Sequence, residues 1–116
     1  MISVGSAPKL LMCSPDHFGV TYAINPWMDP KSWARNERML AAAAYREWKG
    51  LRNALLEAGA TIELVAPAPN LPDLVFTANA AVVLDRKVLL ARFRHAERQL
   101  EEGHFELASD RCSSAV

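Results

Sequence analysis

Apolar and polar positions along this 116-residue chain follow two different periods, and the switches between them mark its elements. "KLLMC" is a short apolar run closed by Ser14-Pro15-Asp16, the pattern of a strand that ends in a turn. From Pro30 onward Trp33, Leu40, Ala44, Trp48, Leu51 and Leu55 recur at three-, four- and seven-residue steps, with Arg35, Glu37, Arg46, Glu47 and Lys49 between them. That spacing predicts one long amphipathic helix from about Lys31 to Ala58. Asp29-Pro30 supplies an N-cap followed by the residue best tolerated in a first turn, and Gly59 supplies the C-terminal cap. "TIELV" follows as a strand, so a strand-helix-strand unit forms, and such units favour a parallel or mixed sheet with a right-handed crossover.

Two further strands are read in "LVFTANAAVVL" and "VLLARF", joined by a hairpin turn at Asp85-Arg86-Lys87. "HAERQLEEGHFEL" predicts the start of a helix, with charge on one face and Leu100 and Phe105 on the other. After Leu107 the period fails, and "ASDRCSSAV" is expected to form an unstructured tail, residues 108–116, outside a folded unit of residues 1–107. Between the first strand and the long helix, "HFGVTYAINPWMDP" has neither period and reads as a long ordered loop. Its Phe18, Tyr22 and Trp27 either line a pocket or cover the core.

Composition narrows the function classes. Hydrophobic residues make up 51% of the chain, enough for a core, so disorder is excluded as the default. Thirteen basic residues balance thirteen acidic ones, and neither sign forms a run. A nucleic-acid or anionic-membrane partner is therefore unsupported. The apolar segments fall short of the ~20 residues a membrane span needs, and no signal-type N-terminus is seen, so a cytoplasmic protein is expected. Cys13 and Cys112 stand alone, which gives no basis for a disulfide framework or a paired-cysteine metal site. Neither a metal nor a cofactor is expected.

Asp73 and Asn79 stand at the two ends of an apolar run in "PNLPDLVFTANAAVVL". A polar side chain in a buried strand must find partners or cost roughly 1–3 kcal/mol, so Asp73 is expected at a strand mouth, facing something. The competing reading makes both residues turn formers that satisfy their own backbone, as Asp and Asn after Pro often do.

"LMCSPDHFGVTYAINPWM", "LPDLVFTANAAVV" and "LLARFRHAERQLE", in this order and spacing, resemble the N-terminal part of the guanidino-group-modifying enzymes. These comprise dimethylarginine dimethylaminohydrolase, arginine deiminase, arginine dihydrolase and the amidinotransferases. The similarity runs from Lys9 to Leu107, and the "FTANA" form is closest to the branch with arginine dihydrolase-like members. Dimethylarginine hydrolases usually carry two adjacent acids where this chain has Ala78 and Asn79. The resemblance implies an α/β fold, part of a fivefold pseudo-symmetric α/β propeller of the pentein type, with a mixed sheet and one long helix. It also implies a small guanidino substrate, attacked by a cysteine thiolate with a histidine moving protons. A guanidinium is a planar cation with forked donors, best gripped by carboxylate and amide oxygens at the rim of a dry cavity. By resemblance Asp73 binds the substrate, Asn79 lies at the guanidino site and Arg92 pairs with the substrate α-carboxylate. Phe18 is a weaker candidate for closing over it.

The family's histidine and cysteine belong to later propeller blades. Cys13 and Cys112 do not match the nucleophile, and His17, His95 and His104 lie in the wrong motifs to be the proton shuttle. Surface or loop roles are expected for these histidines, and Cys13 is expected to be a small buried hydrophobe on a strand. No catalytic residue is therefore assigned. The chain is expected to be a truncated N-terminal portion of a hydrolase or amidinotransferase, inactive by itself. The alternative is a binding or regulatory module that associates with itself, as a homo-oligomer, or with a full-length relative.

Overall fold

A computed structural model describes the backbone of residues 7–114 and the side chains of residues 7–110. The first strand, β1 (Lys9–Cys13), is followed by the long loop, and Asn25 organises the end of that loop. The Asn25 Oδ1 accepts from the backbone N–H groups of Trp27 and Met28 at 3.0 and 3.1 Å, the side-chain mimicry of a turn expected of Asn. Asp29 then caps a short helix, α1 (Pro30–Arg35), accepting from Ser32 N at 3.1 Å, with Pro30 in the first turn.

The long helix predicted from about Lys31 to Ala58 is two helices. Asn36, at φ −131° and ψ 25°, ends α1 and opens α2 (Glu37–Glu57). Asn is a poor interior helix residue because its side chain competes for backbone groups, so the break falls where propensity is weakest. At the other end, Gly59 has φ 101°. Its N–H donates to Leu56 O and that of Ala60 to Leu55 O, the paired bonds of a Schellman cap. The chain then enters β2 (Thr61–Val65), parallel to β1 with Lys9 opposite Thr61 and Cys13 opposite Val65. The predicted strand-helix-strand unit is present, and α2 lies against β2.

The next segment corrects the sequence reading. "LVFTANA" is not strand: two 3-10 turns occupy Pro72–Val75 and Thr77–Asn79. Pro72 has no N–H to give a ladder and suits a first helical turn. The N–H groups of Leu74, Phe76, Asn79 and Ala80 each reach the carbonyl three residues back. Thr77 fastens this segment to β1, its Oγ1 donating to Leu11 O at 2.6 Å. Only then does the hairpin begin, with β3 (Ala81–Leu84) antiparallel to β4 (Lys87–Leu90). Asp85 and Arg86 make its two-residue turn with φ of 52° and 64°, the primed geometry that matches strand twist. One mixed sheet was expected; two separate two-stranded sheets are found, one parallel and one antiparallel.

The last elements are α3 (Ala96–Gln99) and α4 (Glu101–Ser114). Residues 108–114, expected to be irregular, continue α4; residues 115–116 and the Cys112 side chain lie outside the described part. Phe105 and Ala108, one turn apart, are both buried and anchor the helix, and propagation beyond a formed turn is easy. Leu100, assigned with Phe105 to the buried face, is exposed because α3 ends there. Phe105 and Ala108 join Cys13, Val65, Leu71, Leu74 and Ala80 in the core, so the chain is α/β with its small core between the parallel pair, the 3-10 turns and α4.

The backbone at Arg86 and Gly59 predicts effects of opposite sign. Arg86→Gly relieves a left-handed side-chain conformation and should stabilise the chain by about 0.5–1 kcal/mol, whereas Gly59→Ala should cost about 1 kcal/mol. Urea midpoints of the two variants against the parent check both.

Candidate functional site

The turns at Pro72–Val75 and Thr77–Asn79 carry Asp73 and Asn79, and a side chain absent from the sequence-based assignment joins them. Arg98, from α3, spreads its fork over four acceptors. Its Nε and Nη2 donate to the two oxygens of Glu101 at 2.9 and 2.8 Å, Nη1 to Asn79 Oδ1 at 3.0 Å, and Nη2 also to the Asp73 carbonyl at 3.2 Å. The guanidinium lies 4.4 Å from the centre of the Phe93 ring, a cation–π distance. Glu101 is fully buried. Burial opposes the Arg98 charge, but the hydrogen bonds to Glu101 and the charges of Glu101 and Asp73 outweigh it, so its pKa is raised.

Asp73 is 5% exposed. Its Oδ2 accepts from the Tyr22 hydroxyl at 2.6 Å, a link of 51 residues along the chain that fastens the long loop to the turn. Burial, and then this hydrogen bond and the Asp73 charge, raise the Tyr22 phenol well above its usual pKa. Among the described residues no hydrogen bond reaches Asp73 Oδ1. Beside Tyr22 opens a cavity of about 470 Å³, with His17, Asn70 and Glu97 on its walls.

The other two assigned residues stand apart from this cluster. Phe18 is half-buried, edge-on to Trp33 and Phe76 at 5.3 and 5.8 Å, which makes it part of an aromatic seam under the loop. Arg92 has its side chain 89% exposed and lies 3.7 Å from Glu102. The structure thus brings Asp73 and Asn79 together through Arg98, and leaves Arg92 and Phe18 outside that network. Tyr22, Arg98 and Glu101 were missed as partners. Tyr22 had been noted only as an aromatic of the loop, and the three-residue spacing of Arg98 and Glu101 was a legible ion-pair signal.

Cys13 is buried in the core, and its thiol donates to Ser14 O at 3.6 Å. Burial, then the charges of Asp16 and Glu101, push its pKa up to about 11. A thiol so placed is not a thiolate at neutral pH, so it lacks the property a nucleophile needs. His17, His95 and His104 are all exposed, His17 in the loop and His95 just before α3. Among the described residues no three His, Cys, Asp or Glu side chains are placed to hold a metal ion. No helix there is long and apolar enough to cross a membrane.

With this geometry in hand, comparison with known proteins is specific. Residues 14–109 match the family model described as N,N dimethylarginine dimethylhydrolase, eukaryotic, and the chain belongs to that family. Among curated relatives, the bifunctional arginine dihydrolase/ornithine cyclodeaminase ArgZ of Synechocystis is 45% identical over 98 residues, 84% of this chain and 13% of ArgZ. The N(G),N(G)-dimethylarginine dimethylaminohydrolase of Mycobacterium tuberculosis is 37% identical over 90 residues, 78% of this chain and 28% of that enzyme. The crystal structure of the ArgZ N-terminal domain bound to product superposes with a TM-score of 0.79 at 40% identity, covering 93% of this chain and 38% of that one. The chain therefore spans little more than a third of the solved domain it matches.

Two outcomes follow from the buried groups. Glu101→Ala leaves the Arg98 guanidinium without its counter-charge and should lower stability by about 3–5 kcal/mol, read from denaturant unfolding. The Cys13 thiol has its folded pKa raised from 9.0 to about 11. Its contribution to stability is fully present below pH 9 and is lost as the pH rises toward 11, because the unfolded chain ionises first. Unfolding free energies measured from pH 8 to 11 should fall less steeply in Cys13→Ala than in the parent.

Proposed function

We propose that this chain forms the N-terminal part of an α/β propeller enzyme acting on the guanidino group of arginine, with Asp73 gripping the substrate cation. The observation that carries the reading is the Asp73 carboxylate, buried, held at one oxygen by Tyr22 and left with the other oxygen free of hydrogen bonds from the described residues. A delocalised, forked cation is the natural partner for such an oxygen. ArgZ and AgrE, at 45% and 46% identity, are arginine dihydrolases, and the AgrE variant solved with L-arginine aligns with 93% of this chain at a TM-score of 0.79. The M. tuberculosis dimethylarginine enzyme is the more distant at 37%, which favours arginine over methylated arginines. Asn79 stands at the guanidino end, and the exposed Arg92, paired only loosely with Glu102 at 3.7 Å, reaches a substrate α-carboxylate. Phe18, on the long loop, closes over the substrate. The thiolate and the proton-moving histidine come from the remainder of the domain, and the whole works in the cytoplasm without metal or cofactor.

The unusual surface supports this reading. Val82, Val83, Leu84 and Leu89 of the hairpin are 67%, 65%, 71% and 74% exposed. A cavity of about 820 Å³ between α2, β1 and the hairpin is walled by Leu11, Trp48, Leu55, Phe76 and Val88. Apolar area on this scale calls for a cover, and the remaining blades are that cover. A second reading rests on the same surface: a further copy of the chain covers it, and the protein is an association module.

One set of measurements separates these. Joined to the remainder of the ArgZ N-terminal domain, the chain should release ammonia from L-arginine, and Asp73→Asn should lower kcat/KM by about 30- to 1000-fold with the fold retained. The 116 residues alone should release none. An Asp73→Asn fusion with undiminished kcat/KM sinks the substrate role, and a stable dimer of the lone chain in sedimentation favours the association module.

A further inference from the structure

The hairpin carries apolar side chains on both of its faces, and the two faces meet different surroundings. In an antiparallel pair, residues directly opposite one another point to the same side, and neighbours along a strand point to opposite sides. The register sets Ala81 and Val83 with Val88 on one face, and Val82 and Leu84 with Lys87 and Leu89 on the other. Ala81, Val83 and Val88 line the cavity of about 820 Å³, together with Trp48 and Leu55 of α2 and Leu11 of β1. Val82, Leu84 and Leu89 are absent from that wall and stand largely open to solvent. Charge is confined to the tip, at Asp85, Arg86 and Lys87. Strands that read as an unbroken apolar run are those buried on both sides, and a two-stranded sheet left bare is marginal in water.

We propose that the outer face of the hairpin, Val82, Leu84 and Leu89 with Lys87 at its end, is a docking surface of its own for an apolar segment that carries a carboxylate, supplied by the remainder of the domain. This deepens the reading above and rests on it. Filling the cavity covers one face of the hairpin, and a second, separate layer covers the other, so β3 and β4 become internal strands. The solved ArgZ domain supplies the length, since 93% of this chain aligns with 38% of that domain. The carboxylate follows from Lys87, the one charged residue of the face, which stands opposite Leu84. Covering the patch removes water from around its ammonium, and an unpaired ammonium in that place is costly. A second copy of the chain fits less well. A two-fold contact sets the same face against itself, and the two faces then offer two Lys87 ammonium groups and no acid.

The experiment compares the full chain alone with the chain joined to the remainder of the ArgZ N-terminal domain, each with and without Leu89→Lys or Lys87→Glu. Urea midpoints are the readout. Leu89→Lys should leave the midpoint of the lone chain nearly unchanged, because the side chain is already in water there. In the fusion it should lower the midpoint by about 1 M, the loss of a buried leucine divided by a typical urea slope. Lys87→Glu should also lower the midpoint of the fusion and spare the lone chain, and an unchanged fusion midpoint in that variant overturns the carboxylate. Should the lone chain not unfold cooperatively, the fusion decides by itself: Leu89→Met should keep the midpoint that Leu89→Lys loses, a contrast that a solvent-exposed site does not give. A fusion that releases ammonia from L-arginine yet keeps its midpoint in Leu89→Lys overturns the docking face while the enzyme reading stands. A fusion that releases none and unfolds at the midpoint of the lone chain overturns both. A lone chain that sediments as a dimer, and as a monomer in Leu89→Lys, assigns the face to a second copy and overturns the proposal.

Discussion

The Arg98–Glu101 pair is the constraint on which the arrangement around Asp73 and Asn79 depends. Its two charges sit at 2.8 Å with Glu101 fully buried. A buried pair of this kind adds little net stability over a packed apolar substitute, because desolvation offsets the attraction, yet removing one partner is severe. Its value is therefore geometric. Glu101 opens α4, Arg98 belongs to α3, and the fork reaches across to the 3-10 turns, so three elements with no shared ladder are held in one register. The neighbouring acid, Glu102, works on the same joint, since its carboxylate accepts from Phe93 N at 2.8 Å and pins the segment after β4. Phe93 in turn packs near Phe105 and lies against the guanidinium.

What the sequence revealed depended on whether a signal was local. The caps at Asp29 and Gly59, the hairpin at Asp85-Arg86 and the parallel strands around a helical crossover all follow from short patterns with a direct physical cause, and each is present. The failures share the opposite character. "LVFTANA" has strand composition, but Pro72 and the Thr77 bond to Leu11 O, 66 residues away, impose turns. Leu100 and Glu101 exchanged their expected places because a helix break between them rotates the buried face, and the buried place went to the acid that Arg98 could neutralise. At the site, Asp73 and Asn79 were legible as polar residues bracketing an apolar run. Tyr22 and Arg98, their partners at 51 and 19 residues' separation, were not legible as such, since no periodicity connects residues so far apart.

The structure overturns part of each reading of Asp73 and Asn79 posed by the sequence: no strand mouth is formed, and neither side chain bonds its own turn. Both residues do lie in turns, as the backbone reading required. Neither spends its side chain on that turn, however. Asp73 Oδ2 is given to Tyr22 and Asn79 Oδ1 to Arg98, so the turn backbone is satisfied by its own i to i+3 bonds and the side chains remain available for tertiary work. A residue retained only for its turn chemistry would use its own oxygen for the turn, as Asn25 does in the loop.

The Arg98 guanidinium also bears on how the Asp73 carboxylate is held. Arg98 donates to both oxygens of Glu101, to the Asn79 oxygen and to the Asp73 carbonyl. Among the described residues, no hydrogen bond reaches the second carboxylate oxygen of Asp73. Had Arg98 paired with the Asp73 carboxylate instead, a bidentate bond would have engaged both of its oxygens. Directing Arg98 to the carbonyl of Asp73, and Tyr22 to a single carboxylate oxygen, holds the residue in place from two sides. Tyr22 sits on the long loop, so the loop's position and the orientation of the acid are set by one bond. The loop has neither helix nor strand, yet it is fastened at Asp73 by its tyrosine and closed at Asp29 by the cap of the helix that follows.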